Sequence, residues 1–490
     1  MPNPGPEDDI QYGSRCEEPE SVSSGFSGLG SVDSWLGDPR VLAYLECADG
    51  GVGITLHQAK EAVRKGLEDA RNGSNPSDSD LRDYATSKIG ARLEEYRNLQ
   101  LARVINATGI ILHTNLGRAP VHAELARLAT DIASGYVNLE YDLASGARSG
   151  RHAGLNSMLR SLSGAEDALV VNNCAAALYL ILSALATTGS DRKAASGLEV
   201  IVSRGELVQI GGGFRIPSIL AASGAVLREV GTTNITTQQD YAEAVNEQTA
   251  MILKVHPSNF KQYGFTESVP AASLVPLAAR AGIPLIEDLG SASLASERDI
   301  ARAGILSPRP AIRAGVDLVC FSGDKALGGP QAGIILGKSR FIGKLRRHPV
   351  MRTMRVDKWT AALLSAVLWA CGNNRLDLLP VYEMATRDPK TDLSRAKRIA
   401  KKLNAMGLRC DVVEHPASLG GGTSPGESIP SYAISPCAKD VSALELASRL
   451  RAGKPPVVGV IKEGKLLLNM RTVFLEDDNK LFSAIAALLA

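Results

Sequence analysis

Ala168-Leu169-Val170-Val171-Asn172-Asn173-Cys174-Ala175-Ala176-Ala177 passes from an apolar strand through a polar turn into an alanine-rich helix. An apolar run without alternation reads as a strand buried on both faces, and the helical stretch 175–186 then has to cover one of them. The same texture repeats outward. Runs at 200–202, 251–255, 284–286, 318–321 and 333–336 alternate with Ala/Leu-rich helical segments. This predicts an α/β fold whose mostly parallel sheet is covered by helices.

The chain has 490 residues, 44% hydrophobic and 22% charged, which is more than one compact core requires. Residues 1–30 are rich in Pro, Gly, Ser and Glu and read as a disordered tail, with too little apolar surface to offset ordering. Residues 31–96 carry apolar positions at helical spacing, such as Leu56, Ala59, Val63, Leu67 and Ala70 after a possible cap at Thr55. Lys60, Arg64, Lys65 and Arg71 lie among them, which predicts a small helical domain with a partly basic surface. The large α/β domain spans 97–386. A basic helix at 395–406, a glycine-rich stretch and short strands at 455–461 and 465–470 give 387–490 as a smaller α+β domain.

The net charge is 54 − 52 = +2 with a pI near 8.1, so the whole chain is not a polybasic arm, although one basic face can still bind nucleic acid. The start is polar and acidic, unlike a signal peptide, and the apolar run 359–371 is too short to span a bilayer. A cytoplasmic protein is expected. Seven scattered cysteines include no CxxC pair, and seven histidines include no HxxxH or HxxEH pair, so no metal site is expected. Gly337-Lys338-Ser339 follows a strand and lacks the first glycine of a phosphate loop, since Ala332 stands there; Gly211-Gly212-Gly213 lacks the third glycine of a dinucleotide fingerprint.

Chemistry concentrates at strand ends. In Asp317-Leu318-Val319-Cys320-Phe321-Ser322-Gly323-Asp324-Lys325-Ala326-Leu327-Gly328-Gly329-Pro330-Gln331-Ala332-Gly333 a buried strand ends in small residues, Ser322 among them, and presents Lys325 on a glycine-rich turn. An amine that condenses with an aldehyde cofactor needs such a desolvated place with room beside it. Pro284-Leu285-Ile286-Glu287-Asp288-Leu289-Gly290-Ser291 ends another strand in an acid, 325 − 288 = 37 residues upstream. A pyridoxal cofactor needs a carboxylate to keep its ring nitrogen protonated; Asp288 is chosen over Glu287 because it is nearer the strand's end. Asn172, Asn173 and Cys174 open a helix whose N–H groups suit the cofactor phosphate. Phosphate turn, acid and lysine stand in the order of a large aminotransferase-like pyridoxal enzyme.

Residues 103–120 (Arg103-Val104-Ile105-Asn106-Ala107-Thr108-Gly109 through Arg118-Ala119-Pro120), Ser203-Arg204-Gly205-Glu206-Leu207-Val208-Gln209-Ile210-Gly211-Gly212, Glu229-Val230-Gly231-Thr232-Thr233-Asn234 and the Lys325 segment closely resemble the bacterial selenocysteine synthases, L-seryl-tRNA(Sec) selenium transferases. The likeness runs from about Ser31 to the C-terminus and includes Leu466-Leu467-Leu468-Asn469-Met470-Arg471-Thr472-Val473. It implies a fold type I pyridoxal 5'-phosphate enzyme that converts seryl-tRNA(Sec) to selenocysteinyl-tRNA(Sec) through an aminoacrylyl intermediate, with selenophosphate as donor. It also implies a homo-oligomeric ring of dimers, a decamer, and a tRNA-contacting N-terminal domain. Lys325 would hold the cofactor and then remove the α-proton, while Arg118, Arg352 and Arg355 would bind selenophosphate. Four positions depart from the family pattern: Cys174 for a third asparagine, Pro257 for threonine, and Ile235 and Val460 for arginine. The alternative is a pyridoxal lyase acting on a small amino acid or amino sugar phosphate, whose usual mark is a missing N-terminal domain. A third reading, an RNA-binding scaffold without chemistry, conflicts with the joint presence of Lys325, Asp288 and the three arginines.

Overall fold

The computed structural model describes residues 29–46, 51–72, 81–186, 198–210, 213–421, 423 and 428–489. The expected tail, apart from Leu29 and Gly30, lies outside the described residues, as do Gly211, Gly212, Cys16 and Cys47. The chain divides into two compact units, Met1–Arg103 and Val104–Ala490.

The first unit contains helices α1 (Val32–Leu36), α2 (Pro39–Leu45), α3 (Leu56–Asn72) and α4 (Leu81–Asn98). A capping box starts α3: Gln58 N donates to Thr55 Oγ1 at 3.2 Å, and Thr55 N donates to Gln58 Oε1 at 2.8 Å. Ala59, Val63, Leu67 and Ala70 are buried on one face of α3, while Lys60, Arg64, Lys65 and Arg71 are exposed. Helix α4 packs so close that a Cβ on Gly66 would lie 2.7 Å from the Cα of Ile89.

The second unit is built on strands β1 (Asp167–Val171), β2 (Glu199–Ser203), β3 (Val226–Val230), β4 (Thr249–Val255), β5 (Leu285–Ser291), β6 (Leu318–Ser322) and β7 (Gly333–Gly337). They form one sheet in the order β1-β7-β6-β5-β4-β2-β3, in which β7 alone runs against its neighbours. Both faces are buried. Ala168 and Val170 join one apolar cluster, whereas Leu169 and Val171 join the other, together with helix α5 (Cys174–Leu185).

After the helix Pro389–Ala405 comes a second sheet of β8 (Arg409–Glu414), β9 (Tyr432–Cys437), β10 (Val460–Lys462) and β11 (Lys465–Asn469), ordered β8-β9-β11-β10 with its own apolar cluster. This part belongs to the same compact unit as the large sheet. The run 455–461 is not the single strand expected. Val457–Val458 pairs in parallel with Ile105–Asn106, and the strand is interrupted at Gly459 before β10, where a Cβ would lie 2.6 Å from Leu468 Cδ2.

Candidate active site

Strand register levels the ends that carry the chemistry. Val171 of β1 and Ser322 of β6 both pair with Gly333 of β7, and Ser322 also pairs with Ser291 of β5. Strands β1, β5 and β6 run in the same direction, so Asn172–Asn173, Asp288–Gly290 and the Lys325 turn emerge along one edge. Ligands of open α/β sheets bind at such carboxyl ends. Gly333 permits this convergence, since a Cβ there would fall 2.1 Å from the Asn173 carbonyl oxygen.

Lys325 is 8% exposed. Its turn is closed by Gly323 N donating to Ala332 O at 2.8 Å, Gly328 N to Lys325 O at 2.9 Å, and Ala326 N to Ser291 Oγ at 3.3 Å. On the neighbouring strand a register shift between Asp288 and Gly290 bends the end of β5. Gly290 takes φ +62°, its N–H donates to Asp288 Oδ1 at 2.8 Å, and a Cβ on it would stand 4.0 Å from Lys325 Nζ. The bulge therefore sets acid and amine side by side. Successive strand residues face opposite ways, so Glu287 lies on the side of Lys254 and Glu206 and not beside Lys325.

Burial pushes the Asp288 carboxyl above the usual carboxylate range, opposed by the Gly290 N–H and the Lys325 charge. Cys174 Sγ donates to Asp288 Oδ1 at 3.5 Å. The thiol of Cys174 thus points to the acid, not to the phosphate turn with which the sequence groups it. Asn173 caps α5 by accepting from Ala176 N at 2.8 Å, and Asn172 N donates to Met354 O at 3.0 Å. Asn172 Oδ1 and Ser258 Oγ are buried without a hydrogen-bond partner, and Ser258 Oγ is 3.7 Å from the Cβ position of Gly290. An amine for an aldehyde, a carboxylate for a ring nitrogen, a helix start for a phosphate and two unused buried oxygens fit the pyridoxal cofactor.

The three arginines stand on separate stretches, Arg118 after the turn Thr114–Leu116 and Arg352 and Arg355 in and after Pro349–Met354. Arg118, at φ +62°, donates from Nη1 to Asp324 Oδ2 at 2.6 Å and lines a hollow of about 420 Å³ with Thr114, Asp324, Gly329 and Pro330. Arg352 and Arg355 do not line it. Arg352 and Arg355 do not share a helix either. Pro349–Met354 is a 3-10 turn, and Arg355 follows it in extended conformation, 3.9 Å from Glu140. Asp357 then caps the next helix, Lys358–Gly372.

Sequence reasoning missed Asp324, Ser258, Ser291 and Cys320. Asp324 stood in the quoted lysine segment, and Cys320 pairs in register with Asp288, which a strand alignment would have exposed. It also missed a cavity of about 580 Å³ lined by Ser203, Glu206, Asn234, Thr236, His256 and Lys261. His256 N donates to Asp288 O at 2.8 Å, so this cavity adjoins the acid.

The model of one family, L-seryl-tRNA selenium transferase, matches residues 104–474. The L-seryl-tRNA(Sec) selenium transferase of Aquifex aeolicus is 44% identical over 407 residues, covering 82% of this chain and 87% of the relative. That of Geobacter sulfurreducens is 41% identical over 472 residues, covering 94% and 99%. Among solved structures, D-glucosaminate-6-phosphate ammonia-lyase matches with a TM-score of 0.55 at 22% identity, over 79% of this chain and 96% of its own, a likeness of fold.

Proposed function

Because the chain belongs to the L-seryl-tRNA selenium transferase family, we propose that it converts L-seryl-tRNA(Sec) to L-selenocysteinyl-tRNA(Sec), with pyridoxal 5'-phosphate as cofactor and selenophosphate as selenium donor. The observation that carries the chemistry is the convergence of Lys325, Asp288 and the start of α5 on one sheet edge. When bound, the cofactor supplies an electron sink for the substrate's α-carbon. Lys325 Nζ would hold the cofactor by its aldehyde and, as a free amine once the seryl amine has replaced it, would be placed to take the α-proton. Asp288 would hold the proton on the ring nitrogen. The serine hydroxyl would leave with a proton as water, selenium would bond to the β-carbon as the α-carbon regains a proton, and a water that cleaves the Se–P bond would carry the phosphoryl group away as phosphate. Purified protein incubated with seryl-tRNA(Sec) and selenophosphate should yield selenocysteinyl-tRNA. Release of ammonia from a free amino acid or amino sugar phosphate, with no reaction of the tRNA, would support the lyase instead.

Arg118, Arg352 and Arg355 serve the donor's phosphate in this reading, since planar guanidinium forks suit a tetrahedral oxyanion. Replacing Arg352 or Arg355 by alanine should remove charge-assisted contacts worth roughly 1.5–3 kcal/mol each and raise the selenophosphate requirement about tenfold or more. Water elimination should survive, and trapping the β-carbon with a small thiol reads it separately. Blocked elimination with an unchanged selenophosphate dependence would assign these arginines to the tRNA or cofactor.

The first unit is the tRNA reader. Its exposed Lys60, Arg64 and Arg71 supply phosphate contacts, with Lys65 held by Glu61 at 2.7 Å. A Lys60→Glu/Arg64→Glu variant should bind tRNA more weakly and with a shallower salt dependence, while its cofactor absorbance stays unchanged. Equal salt slopes for variant and wild type would remove this face from the interface.

The chain works as a ring of dimers, a decamer, and the exposure of Leu143, Tyr263 and Phe265 supports a covering copy. Light scattering gives the mass. Among the described residues no helix is long and apolar enough to cross a membrane, and the proposed tRNA substrate supports a cytoplasmic reaction.

A further inference from the structure

Two thiols with no part in the steps above enclose Asp288. Cys174 opens α5, and Cys320 stands opposite Asp288 in the β5–β6 register. Their sulfurs and a carboxylate oxygen of Asp288 lie within 4.8 Å of one another. Cys174 donates to the acid at 3.5 Å, and Cys320 brings its single S–H to within 4.8 Å of the same carboxylate. The Gly290 N–H completes the ring of donors at 2.8 Å. Two S–H groups, from α5 and β6, and one N–H from Asp288's own strand thus stand around a single carboxylate.

A carboxylate this enclosed stays charged only if neighbouring groups hydrogen-bond to it, yet each strong donor lowers its basicity. Thiols are weak donors. They fill the space, leave the oxygens basic, and still oppose desolvation. The same three atoms are spaced closely enough to ligate a cation, but both thiols are held in the neutral form and the Lys325 charge acts on the same acid.

We propose that Cys174 and Cys320 are paired positioning residues that hold the Asp288 carboxylate by S–H hydrogen bonds and set its basicity toward the ring nitrogen of bound pyridoxal phosphate. The proposal rests on the cofactor reading above. It assigns Cys174, a departure from the family's usual asparagine, a partner that the phosphate turn does not supply.

Infrared difference spectra of full-length apoprotein, wild type minus Cys174→Ser and wild type minus Cys320→Ser, isolate the two S–H bands. Both should lie at the low frequency of a hydrogen-bonded thiol and move upward in Asp288→Asn, where the acceptor is uncharged. Loading with ¹⁵N-labelled pyridoxal phosphate then reads the ring proton. The serine variants, as stronger donors, should move the ¹⁵N shift toward the unprotonated value, and Cys174→Ala/Cys320→Ala should bind the cofactor at least about tenfold more weakly, as expected for donors lost from a charged acceptor. Bands at the free-thiol frequency would overturn the proposal without any variant having to fold beyond the serine exchanges. So would an unchanged ¹⁵N shift together with cofactor affinity within twofold of wild type. If the wild-type apoprotein fails to bind the cofactor at all, the cofactor reading falls and takes this inference with it.

Discussion

Lys325→Ala should abolish turnover, because in the proposed reaction one side chain both anchors the cofactor and takes the α-proton. Loss of a positioned base alone costs about 10²–10⁴-fold, and loss of the anchoring amine adds to it. Among the described residues the buried lysines are Lys254 and Lys325, so the structure offers one internal competitor. Lys254 is committed elsewhere: it pairs with buried Glu206 and lies 3.2 Å from Tyr241 Oη. Borohydride reduction of the wild-type protein should therefore fix the cofactor on the peptide containing Lys325, and reduction of the alanine variant should fix none. Cofactor recovered on Lys254 or on a surface lysine would falsify the assignment. An external amine such as methylamine should restore a fraction of the proton transfer without restoring attachment, which separates the two roles.

The central strands were legible because parallel strands covered on both faces read as unbroken apolar runs. Strand β3 was not, since it lies at the sheet edge and carries exposed Arg228 and Glu229. The reversed direction of β7 had a signal that went unused. Only residues 323–332 separate β6 from β7, too few for the crossover that parallel neighbours require. The demand for glycine at 459 has no local signature, because it comes from Leu467 and Leu468 of the next strand.

The site divides along the same line. Lys325 and Asp288 stand out because each is a charged residue ending an apolar run, where burial has to be explained by a task. Cys320 sits inside such a run and reads as core, and only register reveals that it faces the acid. Cys174 follows two asparagines and reads as part of their turn, yet the first residue of a helix can send its side chain to the next strand end while its backbone serves the cap. The pairing of Arg118 with Asp324 joins residues far apart in sequence, which no local pattern carries.

Asp288→Asn should leave the fold intact, because the amide oxygen can still accept from Gly290 N and the side-chain volume is unchanged. Attachment at Lys325 should persist. Removal of the α-proton should nevertheless fall by orders of magnitude, because a neutral amide does not keep the ring nitrogen protonated and the electrons left on the α-carbon lose their sink. The wild type should also show an acid limit that the variant lacks. Burial raises the pKa of Asp288 above its usual 3.8, so as pH falls the carboxylate is protonated earlier than an exposed aspartate would be. Below that point the neutral acid cannot pair with a protonated ring, and cofactor affinity of the apoprotein should decline with falling pH; in Asp288→Asn this limb should be flat. Glu287→Gln supplies the contrast. Its carboxyl lies on the side of Lys254 and Glu206, so its loss should leave proton removal within a few-fold of wild type. If the two variants behave the other way round, the bulge after Asp288 does not aim that carboxylate at the cofactor, and the acid that the reaction depends on is Glu287.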